Sequence, residues 1–198
     1  PQGMLGFDAG SNMKFNSSKA RDIANESLLL KSPDPLPVQI LLPAGRLQAA
    51  AEIIKDSIER YLGVRVILNV RPPAEFNSQL KSKQFQIVLN QWGADFPDAY
   101  SFLELFLSNS GNNHYNWKNS DYDSAVSSSV STIALSHRLD KIFSAQDILI
   151  HREVEIVPLY YPKITALVSK SISEFDINPL NYLFFKNIRF ASRQFERN

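Results

Sequence analysis

"VQILLPAGRLQAAAEIIKDSIERYLGVRVILNV", Val38 to Val70, is the stretch whose reading decides the fold. It opens on "VQILL", an apolar run of strand length. From Arg46 to Leu62, the residues Leu47, Ala50, Ala51, Ile54, Ile58, Tyr61 and Leu62 recur at three- and four-residue spacings, while Glu52, Lys55, Asp56, Glu59 and Arg60 fall on the other side. That period predicts an amphipathic helix. Gly63 ends it, since glycine accepts the left-handed backbone of a helix C-cap. "VRVILNV" follows, rich in β-branched residues, with Val64, Val66, Leu68 and Val70 on one face of a second strand.

Working outward, the prolines at 72 and 73 open a short helix, "AEFNSQLKSK", and "FQIVLN", Phe85 to Asn90, has the length and composition of a third strand. Strand, helix, strand, helix, strand with short connections is the pattern of a parallel sheet with right-handed crossovers. The fold class is therefore α/β, with a sheet built from a βαβαβ unit. Upstream, "SSKARDIANESLLL" predicts a short helix and "KSPDPLP" a spacer. Downstream, "AYSFLELFL", "SDYDSAVSSSVS" and "LSHRLDKIFSAQDILIHREV" predict helices, the last with Leu139, Ile142, Phe143, Ala145 and Leu149 as a buried stripe. "IVPLYYP" and "TALVS" predict extended chain, and "NYLFFKNIRF" a closing strand.

The 198 residues are 44% hydrophobic, enough for a full core in one domain or one large lobe. Basic and acidic residues balance to a net charge of +1, with the basic ones scattered, so nothing points to nucleic acid. Cysteine is absent, which excludes disulfides, thiolate metal sites and a cysteine nucleophile. No apolar run approaches the ~18 residues of a membrane span. The chain starts at Pro1 in loop-like sequence without an initiator Met, so a piece of a longer protein is expected.

Ligands of parallel α/β sheets bind beyond the carboxyl ends of the strands. There, directly after the third strand, stands "QWGADFPDAYSF", Gln91 to Phe102. Asp95 and Asp98 have the spacing of a general acid and base pair, but also that of a helix N-cap and first-turn acid, which Pro97 and the following helix favour for Asp98. Asp95 has no Arg or Lys near it in sequence, and an unpaired carboxylate among Trp92 and Phe96 is costly to bury. An external cation is a fitting partner. His114, His137 and His151 lie in separate segments, without metal-ligand spacing, and no metal or cofactor is expected. "GMLGFDAG" lacks the strand and helix of a phosphate loop. "NNHYNW", Asn112 to Trp117, suits a ligand pocket and an ordered surface loop equally.

"QIVLNQWGADFPDAYSFLELFLSNSGNN" resembles the segment of peptide-binding solute-binding proteins of ABC importers that runs from an apolar strand through Trp-x-Ala-Asp to a Ser/Asn/Gly loop. "PQGMLGFD" with "SSKARDI", "WKNSDYDSAV", "IVPLYYPKITALVS" and "NPLNYLFFKNIRF" are similar to further segments of that family, in the family's order. The resemblance implies a periplasmic-binding-protein-like fold. Residues 1–198 would form a single lobe, the second of a two-lobe clamp, with a return segment toward the first lobe at about 163–198. It also implies a binder and not an enzyme. Asp95 would pair with the α-amino group of a peptide, the backbone from Gln91 to Gly93 with the peptide chain, and Trp92 would wall the side chains, with Asn90 and Phe96 flanking. The implied partners are a membrane permease and the first lobe; the implied location is the periplasm or the extracellular face, with a signal peptide, and in some members a lipid anchor, outside this stretch. Gln91 stands where the family often has Gly, and Ala99 where it has Pro. Other members of the fold bind nickel chelates, haem, glutathione or sugars, and many of those lack the Asp.

Overall fold

The computed structural model describes residues 4–7, 14–27, 36–162, 165–175, 177–178 and 182–190. The chain divides into two compact units. One comprises Ser11–Trp92 and Ser108–Lys118, the other Pro1–Gly10, Gly93–Leu107 and Asn119–Asn198.

The first unit is the α/β sheet expected from the periodicity. Its elements are α1 (Ser17–Glu26), β1 (Val38–Pro43), α2 (Gln48–Leu62), β2 (Val66–Arg71), α3 (Pro73–Lys81) and β3 (Ile87–Val88). The strands are parallel in the order β2-β1-β3, with Val38 opposite Val66 and Ile40 opposite Ile87. Central β1 is covered on both faces, which is why it reads as a continuous apolar run: Ile40, Leu41 and Leu42 are 0–2% exposed. Ile40 and Leu42 join Val66, Leu68 and Val70 against Leu47, Ala51, Ile54 and Ile58 of the α2 side. Leu41 faces the other way, against Phe76 and Leu80 of α3 with Phe85 and Val88. Gly63 caps α2 at φ 70°, its N–H donating to the Glu59 carbonyl at 3.1 Å.

"FQIVLN" forms less strand than its composition predicts. Only Ile87 and Val88 pair with β1, although the Leu89 N–H still reaches the Leu41 carbonyl at 2.8 Å. Ahead of them the Gln86 side chain takes the place of a ladder bond, accepting from the Gln39 N–H at 2.7 Å. Phe85 turns into the α3 cluster and lies edge-on to Tyr115. Because β2 and β3 flank β1 on opposite sides, the winding reverses between β1 and β3. The chain leaving β3 therefore emerges at the topological switch point of this sheet, where such folds bind ligands.

The second unit contains α4 (Tyr100–Leu103), continued as a 3₁₀ turn through Phe106, then α5 (Ser120–Ser131) and α6 (Leu135–Asp147). The Asn119 side chain caps α5, accepting from the N–H groups of Asp121 and Tyr122. Tyr122 is fully buried, and its hydroxyl donates to the Leu103 carbonyl at 2.6 Å, tying α5 to α4. Burial pushes that hydroxyl's pKa up, so it remains a donor at any working pH. Along α6, Ile142 and Ala145 are buried as expected, and so is Leu149 just beyond it, but Phe143 is 39% exposed and Leu139 only partly covered. A single π turn, Ile148–Arg152, follows α6, and Ile148 and Leu149 at its start are both buried.

The C-terminal stretch also departs from its expected strands. Ile156–Pro162 and Thr165–Ser169 form none; Pro158 and Pro162 cannot donate to a ladder. The described extended pairing there is β4 (Ile172–Ser173) antiparallel to β5 (Arg189–Phe190) and one antiparallel bridge, Ile177 to Leu183, and a 3₁₀ turn at Phe185–Asn187 interrupts the expected closing strand. Leu28–Leu30, most of "KSPDPLP" and the last eight residues lie outside the described residues. Among the described residues no helix is long and apolar enough to cross a membrane.

Candidate functional site

The residues singled out from the sequence lie on one continuous stretch, and the boundary between the units falls inside it. Asn90, Gln91 and Trp92 belong to the sheet unit, Gly93, Asp95 and Phe96 to the other.

In the sheet unit, Leu89, directly after β3, is buried, and Asn90, Gln91 and Trp92 are exposed. The Asn90 side chain folds back to accept the Gln91 N–H at 2.8 Å. Among the described residues, the Gln91 carbonyl and both backbone groups of Trp92 make no hydrogen bond, and β3 is an edge strand. An edge with free N–H and C=O groups is a template for another extended chain. The Trp92 indole is 42% exposed, a flat apolar surface beside that edge.

In the second unit, the Asp95 carboxylate is exposed and, among the described residues, has neither a hydrogen bond nor an ion pair. Its backbone, in contrast, is held: the Asp95 N–H donates to Ser101 Oγ at 2.9 Å, and Ser101 is fully buried at the start of α4. Phe96, 39% exposed, stacks on Tyr100 with ring centroids 6.4 Å apart.

Asp98 is differently placed. Its Oδ1 accepts the Tyr100 N–H at 2.9 Å, as expected of an acid that starts a helix. Both oxygens also receive the Arg138 guanidinium in a fork, Nη1 to Oδ2 at 2.8 Å and Nη2 to Oδ1 at 2.9 Å. Arg138 Nε donates to the Ser129 carbonyl in the last turn of α5 at 2.9 Å. With its oxygens spent on Arg138 and Tyr100, Asp98 is not a free acid or base beside Asp95. Arg138 lies 40 residues from Asp98, and no local signal in the sequence could have joined them.

Burial pushes the Asp98 carboxyl up, but the Arg138 hydrogen bonds, the Tyr100 N–H and the Arg138 charge outweigh it and hold the pKa below its ordinary value of 3.8. A carboxylate with a depressed native pKa stabilises the fold fully above its unfolded value, and that contribution is lost as pH falls through the native one. Acid unfolding of the wild type therefore steepens below pH 3.8, and Arg138→Met flattens the dependence of stability on pH in that range. Circular-dichroism melts between pH 5 and pH 2 measure this; parallel curves for the two proteins would remove the pair from the acid response.

The remaining candidates are structural or dispersed. Asn113 is buried and spends its amide on its own loop, donating to the Trp117 carbonyl at 2.8 Å and accepting the Tyr115 N–H at 3.2 Å. Burial, with the charges of Lys81 and Lys83, lowers the pKa of His114. His151 lies 3.4 Å from Asp147, and His137 is exposed. Among the described residues no group of three or more His, Cys, Asp or Glu could hold a metal.

Residues 1–114 match the model of the bacterial extracellular solute-binding proteins, family 5, middle region. Over 195 residues the chain is 23% identical to the probable deoxycholate-binding periplasmic protein YgiS of Escherichia coli K12, covering 95% of this chain and 36% of that protein. It is 26% identical to the oligopeptide-binding protein OppA of Bacillus subtilis over 141 residues, 71% of this chain and 26% of that one. The solved structure of the Escherichia coli murein tripeptide binding protein MppA superimposes with a TM-score of 0.82 over 97% of this chain and 39% of its own, at 18% identity. The chain thus spans a quarter to two fifths of the length of these proteins.

Proposed function

Because this chain belongs to the bacterial extracellular solute-binding proteins of family 5, we propose that it is the second lobe of a peptide-capturing component of an ABC importer, working outside the cytoplasmic membrane. The observation that carries this reading is Asp95, an exposed carboxylate with no partner of its own on a backbone pinned by the buried Ser101. A peptide's α-ammonium is the cation it lacks, and a charge-assisted hydrogen bond is roughly twice as strong as a neutral one. The free backbone groups at Gln91 and Trp92, continuing into Gly93, offer main-chain pairing, which is blind to side chains and suits a binder of many peptides. Trp92 supplies a flat exposed face beside that edge, and Asn90 and Phe96 are further proposed ligand contacts on the same stretch of chain. A first lobe completes the clamp, and the closed protein hands its peptide to a membrane permease. No bond is made or broken in this role.

The relative named for deoxycholate raises a second reading, a non-peptide ligand. A steroid carboxylate is an anion, and an unpaired Asp95 repels it, so the peptide reading is preferred. Calorimetric titration of the full-length protein with trialanine and with N-acetyl-trialanine decides the matter. Trialanine should bind at least about tenfold more tightly, the equivalent of one charged contact. Equal affinities would overturn the role of the amino terminus. Binding of deoxycholate without trialanine would move the protein to the non-peptide ligands of its fold.

A further inference from the structure

A carboxylate that touches nothing is only as well placed as its backbone. Asp95 stands between the small Gly93 and Ala94 and the rigid Pro97, and its side chain has no partner among the described residues to orient it. Fixing one residue's backbone costs conformational entropy, and a mobile loop would subtract that cost from ligand binding. Residues 95–101 are instead tied at several points. Besides the bond from Asp95 to Ser101, the Asp98 N–H donates to the Phe96 carbonyl at 2.8 Å and the Ala99 N–H to the Leu5 carbonyl at 3.2 Å. The strongest tie is the fork between Asp98 and Arg138, in which three guanidinium N–H groups join the loop, α6 and the end of α5. Arg138 stands on α6, a helix fixed by the fully buried Ile142 and Ala145. Both partners are 19% exposed, so water competes only weakly for the pair.

We propose that Arg138 is a positioning residue for ligand capture: by clamping Asp98 it presents the Asp95 carboxylate, three residues upstream, in a fixed geometry to the ligand's ammonium. This rests on the peptide reading above. Arg138 itself touches no ligand in this scheme and acts through the loop. A lysine cannot replace it, since a point charge cannot make the planar two-bond fork and the third bond to Ser129 together.

The test uses Arg138→Lys and Asp98→Asn in the full-length protein, at a temperature where circular dichroism shows both folded. Affinity for trialanine should fall about tenfold in each, while affinity for N-acetyl-trialanine stays the same, so the preference for a free amino terminus shrinks. In an Asp95→Ala background, adding Arg138→Lys should leave trialanine affinity unchanged, because the residue through which Arg138 acts is gone. A purely stabilising Arg138 would lower the melting temperature and leave the preference intact, and that result overturns the proposal. So does an equal loss in the Asp95→Ala background. Amide hydrogen exchange separates this inference from the peptide reading. Without any ligand, Arg138→Lys should raise exchange at Asp95 about tenfold or more relative to α2. Unchanged exchange there overturns the clamp even if trialanine binds as expected. Raised exchange in a protein indifferent to N-acetylation supports the clamp and removes only the peptide.

Discussion

Asp95→Ala in the full-length protein lowers affinity for trialanine by about 10- to 150-fold, equivalent to the roughly 1.5–3 kcal/mol of a hydrogen bond to a charged group. It leaves N-acetyl-trialanine almost unaffected. The size of the loss is informative in itself. An ion pair that stays in water is worth only about 0–1 kcal/mol, less than roughly sixfold in affinity. In the described structure the Asp95 carboxylate is exposed, so a loss above that limit requires the bound ligand and its surroundings to strip water from it. Asp95→Asn retains shape and hydrogen-bonding capacity without the charge and should fall between wild type and Ala. Raising the salt concentration should weaken trialanine binding less than it would an exposed pair. Isothermal titration of the three proteins with both ligands measures every term. If Asp95→Ala binds trialanine as wild type does, the carboxylate is not the ammonium's partner.

The sheet was legible because its physics is local. A 3.6-residue period between two β-branched runs, closed by Gly63, leaves few alternatives, and the parallel order follows from short connections. Asp95, an acid without a nearby cation in the sequence, has none in space among the described residues either, because none of the described helices delivers a base to it. What could not be read depends on distant pairing. Nothing around Asp98 names Arg138, since the fork exists only once α5 and α6 have packed and α6 presents that residue to the loop. The shortness of β3 has the same origin. "FQIVLN" has strand composition, yet Gln86 bonds through its side chain and Phe85 finds a better place against α3. Phe143 misled because it follows Ile142 by one residue, about 100° round the helix from it, and so falls at the flank of the buried stripe, where it is 39% exposed. In the C-terminal stretch, apolar residues such as Val157 and Tyr160 suggested strands, but they are exposed and flanked by prolines.

Gly6→Ala should be among the most damaging single substitutions in the second unit. Gly6 has φ +83°, and a Cβ built there would lie 2.8 Å from Ile142 Cγ2 and 2.9 Å from the Ala99 Cβ. The left-handed conformation alone costs a side chain about 1–2 kcal/mol. Neither neighbour can yield cheaply: Ile142 is fully buried on α6, and Ala99 is tied through its N–H to the Leu5 carbonyl. Overpacking of this kind adds about 1–3 kcal/mol, so the total is roughly 2–5 kcal/mol, or a fall of about 4–20 °C in melting temperature for a domain of this size. The direction of the strain connects stability with function. The added methyl pushes on Ala99 and α6 together, the two elements that the pair of Asp98 and Arg138 bridges, and it forces the loop of Asp95 away from the helix that steadies it. Scanning calorimetry and trialanine titration of Gly6→Ala should therefore move together, with both the melting temperature and the preference over N-acetyl-trialanine reduced. A melting temperature within a degree of wild type would show that the chain at Gly6 shifts freely. A lowered melting temperature with an intact preference would show that α6 absorbs the methyl and the loop does not.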